Sequence, residues 1–324
     1  MGLAGEVARL FFDRQLTKVE IAQRIGISRF RVARLIDEAV EIGLVRIEFR
    51  NASPVDQALA REIESRFGLD LCVIAGDGPA DANGAVADLA GSILGEMIGP
   101  GDTVGIAWGS TLARVVAAVP LRDESSITVV QLAGGSTRLQ ADRDAGEIAR
   151  TLASRIGAAH HRLFAPTFVA SVGLRDALLR EPEVAATFGL FERLTLAIVG
   201  IGAIREVNDL TGSSLLASGV LAPDDIADLL ARGAVGDLVV HPFAADGRFV
   251  APELEARALA IDLAALRRIP RVIAVAAGRS KAIAIRGALQ TGLLRALVTD
   301  SAAATAILRD TVASSPGSRG AARP

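Results

Sequence analysis

The feature that most restricts the fold of this chain is an alternation of two kinds of segment from about residue 57 onward. Short apolar segments rich in Val, Ile and Ala alternate with longer segments whose apolar residues recur at helical spacing. Buried strands that alternate with helices predict an α/β fold with a doubly wound, mostly parallel sheet. The predicted strands are 69–76, 103–107, 127–132, 161–165, 195–200, 237–243, 271–276 and 296–299. The predicted helices are 57–67, 80–98, 144–156, 173–181, 183–193, 223–232 and 280–291.

The composition agrees with a core of this kind. Hydrophobic residues make up 51% of the 324 residues, but aromatic residues only 4%, so Ala, Val, Leu and Ile must fill the core. These residues suit parallel strands that helices cover on both faces. The single cysteine, Cys72, excludes an internal disulfide and fits a reducing compartment. Because no apolar run reaches the length of about 18 residues that a membrane span needs, we expect a cytoplasmic protein.

Charge is distributed unevenly along the sequence. Residues 14–34 contain six basic residues and one acidic residue, which gives this segment a net charge of +5. The whole chain has a net charge of −2, so the remainder has a net charge of −7. A basic module attached to an acidic body is typical of a nucleic-acid-binding protein with a separate second domain.

The basic segment has the spacing of a helix-turn-helix. Thr17 and Glu20 form a capping box that begins a helix, and Gly26 can end that helix in the left-handed conformation. Ser28 can then cap a second helix. The small and apolar residues that would join the two helices are Ile21, Ala22, Ile25, Val32 and Leu35. In such a motif the second helix enters the major groove of DNA, although an unrelated three-helix module is the alternative.

The predicted DNA contacts lie at the starts of these two helices and in a strand-like segment, 43–49, that resembles a wing. Arginine can bind guanine through two hydrogen bonds, and basic or hydroxyl side chains can bind phosphate. Phe30 could contact a base, but a residue of this kind more often packs against the first helix. The predicted DNA-binding residues are Thr17, Lys18, Ser28, Arg29, Arg31, Arg34 and Arg46.

Glycines and polar side chains follow several predicted strands. Doubly wound sheets bind ligands at the carboxyl ends of their strands, and helix N-termini there attract anions. Each of these strand ends alone would usually be a simple turn, but several on one sheet favour a ligand site. The strand ends are Gly109 with Ser110 and Thr111, the pair Gly134 and Gly135, Gly200 with Gly202, and Gly278 with Lys281.

The order and spacing of several motifs resemble the SorC family of bacterial transcriptional regulators from about residue 5 to 310. Besides the helix-turn-helix, these motifs are VGIAWGSTL, VVQLAGG, GEIARTLASRIGAAHHRLFAPTFVAS, LAIVGIGAI, GAVGDLVVHPFAADG, RRIPRVIAVAAGRSKAIAIRGAL and LVTDSAAATAIL. The resemblance implies a homodimer or homotetramer that binds double-stranded operator DNA. It also implies a large domain, similar to sugar-phosphate isomerases and deaminases, that binds a sugar or sugar phosphate as effector. We expect no cofactor and no metal.

The same resemblance implies roles for the polar strand ends. Ser110 and Thr111 would hold the effector phosphate, and Lys281 would be a second contact. The other implied pocket residues are Gly109, Gly134, Gly135, Gly200, Gly202, Asp237, Phe243, Asp246 and Gly278. In some relatives the residue before the glycine pair is a lysine that can form a Schiff base, but here it is Ala133, which excludes covalent capture there.

Four of the implied pocket residues also have purely structural interpretations. Asp246 could belong to a tight hairpin turn and Phe243 to the core. Asp237 could cap a turn, and Ser110 could be only a helix N-cap.

An enzyme of the isomerase or deaminase type is the main alternative. Such chemistry needs a general base, but no acidic residue or histidine lies between Gly200 and Ile204. His160 and His161 are adjacent, so in a strand they would face opposite ways, and His241 fits a buried strand. No histidine has the spacing of a metal site. We therefore predict a regulator; a DNA-binding protein whose large domain only assembles subunits is the third possibility.

These observations predict four regions. Residues 1–50 would be the DNA-binding domain, 51–56 a linker, 57–312 the effector and oligomerisation domain, and 313–324 a disordered tail.

Overall fold

A computed structural model describes residues 2–14, 16–45, 54–76, 82–136, 144–204, 212–219 and 221–309. The chain divides into two compact units, residues 1–51 and 52–324. Each unit has its own hydrophobic core. Arg46, most of the predicted wing and the predicted tail lie outside the described residues. In the part of the chain that is described, no helix is both long enough and apolar enough to span a membrane.

The small unit contains three helices, α1 (Leu3–Phe12), α2 (Lys18–Ile25) and α3 (Arg29–Glu41). Its core consists of Val7, Ile21, Val32 and Ile36, which belong to all three helices. Two of these residues are the apolar positions that the helix-turn-helix spacing singled out.

The ends of α2 and α3 confirm the predicted turn. The Thr17 hydroxyl accepts from the Glu20 amide at 3.3 Å, and the Glu20 carboxylate accepts from the Thr17 amide at 2.8 Å. Gly26 has a φ of 75°, the left-handed conformation that ends a helix. The Ser28 hydroxyl accepts from the Arg31 amide at 3.3 Å and caps α3.

The large unit contains the remaining helices and all nine strands of the described residues. The helices are α4 (Pro54–Phe67), α5 (Ala82–Met97), α6 (Ser110–Ala118), α7 (Ala145–Ile156), α8 (Val172–Leu178), α9 (Pro182–Leu190), α10 (Ser214–Ala217), α11 (Pro223–Ala231), α12 (Pro252–Glu255), α13 (Leu263–Arg268), α14 (Ala282–Gln290) and α15 (Ser301–Arg309). The strands are β1 (Leu71–Ala75), β2 (Thr103–Ile106), β3 (Thr128–Gln131), β4 (Ala159–His161), β5 (Leu196–Ala203), β6 (Ala234–Leu238), β7 (His241–Ala244), β8 (Arg271–Val275) and β9 (Ala296–Asp300).

The sheet confirms the predicted doubly wound topology. Seven strands are parallel in the order β1-β9-β8-β5-β2-β3-β4. The chain proceeds from β2 toward one edge and from β5 toward the other, so the strand order reverses between β2 and β5. A reversal of this kind opens a crevice beyond the carboxyl ends of the two strands.

Residues 237–243, which were predicted as one strand, instead belong to two antiparallel strands, β6 and β7. β6 pairs with the extended end of β5, and β7 pairs with β6. The chain reverses between Leu238 and His241, and Val239 there has a φ of 61°. The prediction was wrong because this stretch is mostly apolar and lacks the Asn or Gly that usually marks a hairpin turn.

Several boundaries also differ from the prediction, most clearly those of β4 and α4. Strand β4 covers Ala159–His161, whereas the predicted strand was 161–165. Helix α4 begins at Pro54, inside the predicted linker 51–56. Proline is favoured at the first position of a helix because its fixed φ is helical and the amide proton it lacks has no partner there.

Candidate functional site

A cavity lies beyond the carboxyl ends of β2 and β5, where the strand order reverses. It encloses about 470 Å³ of empty space, including the solvent at its mouth. The lining residues are Ala107, Trp108, Gly109, Ser110, Thr111, Leu112, Gly200, Ile201, Gly202, Gly212, Ser214, Asp237, Val239 and Lys281. Seven residues that the sequence singled out therefore come together: Gly109, Ser110, Thr111, Gly200, Gly202, Asp237 and Lys281.

The start of α6 forms one wall of the cavity. The first amides of a helix have no partner within the helix, and they bind anions readily. Gly109 is the residue before this helix and has a φ of 118°, a conformation that side chains rarely adopt. A Cβ at Gly109 would also lie 2.9 Å from the Ser214 hydroxyl. Because Gly109, not Ser110, is the N-cap residue, the purely capping interpretation of Ser110 is wrong.

Lys281 also lines the cavity, from a single 3₁₀ turn that leads into α14. Its ammonium group donates to the Ile201 carbonyl at 2.9 Å. This hydrogen bond ties the lysine to β5, so its positive charge is held inside the cavity rather than in bulk solvent.

Asp237, on β6, is the buried acidic residue of the cavity, with 3% of its surface exposed. The Ser213 hydroxyl donates to its carboxylate at 2.5 Å. Burial raises the pKa of Asp237 to about 6, although the hydrogen bond from Ser213 and the charge of Lys281 both act to lower it. The carboxylate can accept hydrogen bonds when ionised and can donate one when protonated.

The two glycines at the end of β5 have different structural roles. A Cβ at Gly202 would overlap the Asp237 carboxylate and would lie 2.9 Å from the Ser213 hydroxyl. Gly202 therefore makes room for the buried acid. A Cβ at Gly200 would meet its nearest neighbours only at 3.9 Å, so the described atoms leave space for a side chain there.

Sequence reasoning did not assign Trp108 and Val239 to the cavity. The Trp108 indole donates to the Val239 carbonyl at 2.9 Å and so ties the end of β2 to the β6–β7 turn. Val239 is the one described non-glycine residue with a positive φ, which costs a β-branched residue about 1–3 kcal/mol. Trp108 belongs to the motif VGIAWGSTL, but no pattern in the sequence indicated a role for Val239.

The glycine pair after β3 lies outside the cavity lining. The Gly134 amide donates to the Leu259 carbonyl at 2.8 Å, and the Gly135 amide donates to the Ala165 carbonyl at 2.9 Å. A Cβ at Gly134 would lie 2.6 Å from the Pro166 carbonyl oxygen. These contacts explain the two glycines by the close approach of neighbouring backbone.

Three further residues of the implied pocket do not line the cavity. Phe243 is fully buried, and its ring packs close to the backbone of Gly287, as the core interpretation predicts. Asp246 lies in an exposed turn, where its carboxylate pairs with Arg248 at 3.2 Å. The Gly278 amide donates to the carboxylate of Asp300.

The histidines give no support for catalysis. His241 is buried, and its Nε2 lies 2.9 Å from the Ile261 carbonyl oxygen. His160 is half-buried on β4, where burial lowers its pKa, and His161 is exposed. Within the described ranges, no group of three His, Cys, Asp or Glu side chains could hold a metal ion.

The predicted DNA contacts lie on the surface of the small unit. Arg29, Arg31 and Arg34 are exposed on α3, and Lys18 is exposed at the start of α2. Phe30 is 72% exposed, and the Arg29 guanidinium lies 4.9 Å from the centre of its ring. The expectation that Phe30 packs against the preceding helix is therefore wrong.

Comparisons with known proteins agree with this arrangement. A family model described as "Putative sugar-binding domain" matches residues 55–309. The sorbitol operon regulator of Klebsiella pneumoniae is 26% identical over 311 residues, which cover 94% of this chain and 96% of that protein. The erythritol catabolism regulatory protein EryD of Brucella abortus is 28% identical over 310 residues, which cover 94% and 96%. The deoxyribonucleoside regulator of Bacillus subtilis is 25% identical over 311 residues, which cover 95% and 97%.

The structural comparison extends to both units. The crystal structure of the full-length sorbitol operon regulator SorC from Klebsiella pneumoniae matches with a TM-score of 0.71 and 25% identity. The match covers 94% of this chain and 98% of that chain. These relatives are regulators and not enzymes, which confirms the prediction of a regulator and removes the isomerase or deaminase alternative. The chain belongs to the SorC family of transcriptional regulators, and residues 55–309 match its sugar-binding domain.

Proposed function

We propose that a sugar or sugar phosphate binds in the cavity at the β2–β5 crevice and controls the affinity of the small unit for operator DNA. The observation that carries this proposal is the meeting of a helix N-terminus, the Lys281 ammonium and the Asp237 carboxylate in one cavity. The relatives include a sorbitol operon regulator, an erythritol catabolism regulatory protein and a deoxyribonucleoside regulator, and these names support a carbohydrate ligand.

The three groups have complementary roles in this proposal. The amides at the start of α6, with the hydroxyls of Ser110 and Thr111, bind the phosphate. The Lys281 ammonium adds a compact positive charge beside it. Asp237 binds sugar hydroxyls, since its carboxylate accepts one hydrogen bond among the described residues, from Ser213, and a carboxylate has about four lone-pair sites.

The protein acts in the cytoplasm as a homodimer or homotetramer on a palindromic operator. Two-fold symmetry in the protein matches two half-sites in the DNA. A coupling free energy of about 1–3 kcal/mol between the two ligands would change operator affinity by roughly 5–150-fold.

A binding panel tests the effector site. We would measure the unfolding temperature of the full chain with sorbitol, erythritol, 2-deoxyribose and the monophosphate of each. A ligand at 100 times its Kd stabilises by about 2.7 kcal/mol, which raises the unfolding temperature by several degrees. A shift with the phosphates alone would identify the effector as phosphorylated.

Two acidic residues provide a matched comparison for this test. Asp237→Asn should weaken stabilisation by the effector, whereas Asp246→Asn should not, because Asp246 lies in an exposed turn and does not line the cavity. If no carbohydrate stabilised the wild-type protein, the large domain would be an assembly domain only. Equal effects of the two substitutions would place the ligand outside this cavity.

A further inference from the structure

Phe30 is exposed on a face of α3 that cannot reach the core of the small unit. The buried residues of α3 are Val32, Ile36 and Ala39. An α-helix turns by about 100° per residue, so Phe30 lies about 180–200° around the axis from Val32 and Ala39. This geometry explains why 72% of its surface is exposed. The ring therefore contributes little to the core that holds the three helices together.

The surroundings of the ring are cationic. Arg34 lies one turn later on the same outward face, and Arg29 lies 4.9 Å from the ring centre. Arg31 flanks the same face, and the first turn of α3 contains no acidic residue. A protein partner that covered a phenylalanine would leave these arginines to be neutralised. DNA supplies anionic phosphates together with an apolar group in the major groove, the C5-methyl of thymine.

We propose that Phe30 contacts the C5-methyl group of a thymine in each operator half-site. The N-terminal residues of a recognition helix are those that reach the base edges. Phe30 is the second residue of α3, so it lies in that position. The neighbouring arginines bind phosphate or guanine, and Phe30 selects thymine by an apolar contact. This inference rests on the proposed DNA-binding surface.

The test begins with selection of duplexes from a randomised library by the full-length wild-type protein. Each thymine of the selected duplex is then replaced by deoxyuridine, which removes the methyl group and leaves the base pair intact. We expect one thymine per half-site at which this replacement lowers affinity by about fourfold, the effect of exposing one buried methyl. Gel-shift titration at fixed salt measures the affinities, because phosphate contacts make them depend on salt.

The Phe30→Ala variant should lose affinity for the thymine duplex and should no longer discriminate deoxyuridine at that position. Ile42→Ala is the matched control, since Ile42 is 62% exposed and lies about 18 Å further along the helix axis. This control should keep both the wild-type affinity and the wild-type response to deoxyuridine. Phe30→Ala should also fold normally, because it removes an exposed side chain and alanine favours a helix.

Three outcomes would overturn the inference and leave the DNA-binding proposal standing. Phe30→Ala could respond to deoxyuridine as the wild type does, or the wild type could be indifferent to every methyl group. Phe30→Ala could also change the oligomeric state in sedimentation, which would make Phe30 a contact between subunits. If the wild type selected no duplex at all, the DNA-binding proposal would fail, and this inference with it.

Discussion

At the scale of single residues, the buried carboxyl group of Asp237 should make the stability of the protein depend on pH. Its pKa of about 6 lies above the value of about 3.9 in an unfolded chain. The folded state therefore binds more protons than the unfolded state between these two pH values, and stability must fall as pH rises through this window. A shift of two units corresponds to roughly 2–3 kcal/mol.

The first prediction concerns this pH dependence. Asp237→Asn removes the titrating group, so the difference in unfolding free energy between wild type and variant should change by roughly 2 kcal/mol between pH 4 and 7. The unfolding free energy of the wild type should fall relative to that of the variant as the pH rises. Urea unfolding at several pH values measures the difference, and a constant difference would contradict the assignment of the raised pKa to Asp237.

A second prediction separates the two glycines of β5. Gly202→Ala should displace the Asp237 carboxylate, since the new Cβ would overlap it, and overpacking of this kind costs about 1–3 kcal/mol. Gly200→Ala is the control because its nearest neighbours lie 3.9 Å away. Thermal unfolding without effector should show lower stability for Gly202→Ala alone, and thermal unfolding with effector should show a weaker ligand response in Gly202→Ala than in the wild type. Equal stability of the two variants would show that the close approach at Gly202 does not affect the free energy of unfolding.

At the scale of secondary-structure elements, the hydroxyl of Thr17 caps the start of α2. The sequence suggested Thr17 as a DNA contact, but its hydroxyl also donates to the Glu20 carboxylate at 2.8 Å. The hydrogen bonds from the Thr17 amide and from the Thr17 hydroxyl hold the pKa of Glu20 below its ordinary value. The hydroxyl therefore has a structural role in the helix-turn-helix before any DNA is bound.

The third prediction follows from that role. Thr17→Ala should destabilise the small unit by about 1 kcal/mol, the usual cost of losing an N-cap. Hydrogen exchange of the α2 amides should become faster, whereas Thr17→Ser, which keeps the hydroxyl, should exchange like the wild type. Lys18→Ala should leave this exchange unchanged but lower the salt dependence of DNA binding by about one phosphate contact. Unaltered exchange in Thr17→Ala would mean that the hydroxyl serves DNA binding only.

The elements also show what sequence reasoning could and could not reach. The alternation of apolar runs and amphipathic segments predicted the parallel sheet, because such strands must be buried on both faces. It could not reveal the β6–β7 hairpin, whose turn passes through Val239 without glycine or asparagine. Glycines after strands looked alike in the sequence, yet Gly202 lines the cavity while Gly134 only admits a neighbouring backbone. That distinction depends on contacts between residues distant in the chain.

At the scale of the whole molecule, function requires that two ligands influence each other. Coupling is reciprocal, so an effector that weakens DNA binding must itself bind less tightly to the DNA-bound protein. We expect this coupling in the assembled protein.

The fourth prediction separates the two binding activities. Lys281→Ala should weaken the effector response, since the cavity loses its ammonium group, but should leave operator affinity in the absence of effector unchanged. Arg31→Ala should reduce operator affinity without altering the shift in unfolding temperature that the effector causes. Gel shifts measure the operator affinity of both variants, and thermal unfolding measures their response to effector. Loss of DNA binding in effector-free Lys281→Ala would contradict the separation of the two sites.

The contact between Trp108 and Val239 has a practical consequence. Trp108 is the single tryptophan of a chain that has no tyrosine, and it is buried in the lining of the proposed effector cavity. Excitation near 295 nm would therefore produce emission from one side chain in one place. An effector that moves the β6–β7 hairpin or breaks the indole hydrogen bond should change the wavelength and intensity of that emission. If the effector binds there, the unmodified protein contains its own optical reporter of ligand binding, with no label to attach and no competing fluorophore to subtract.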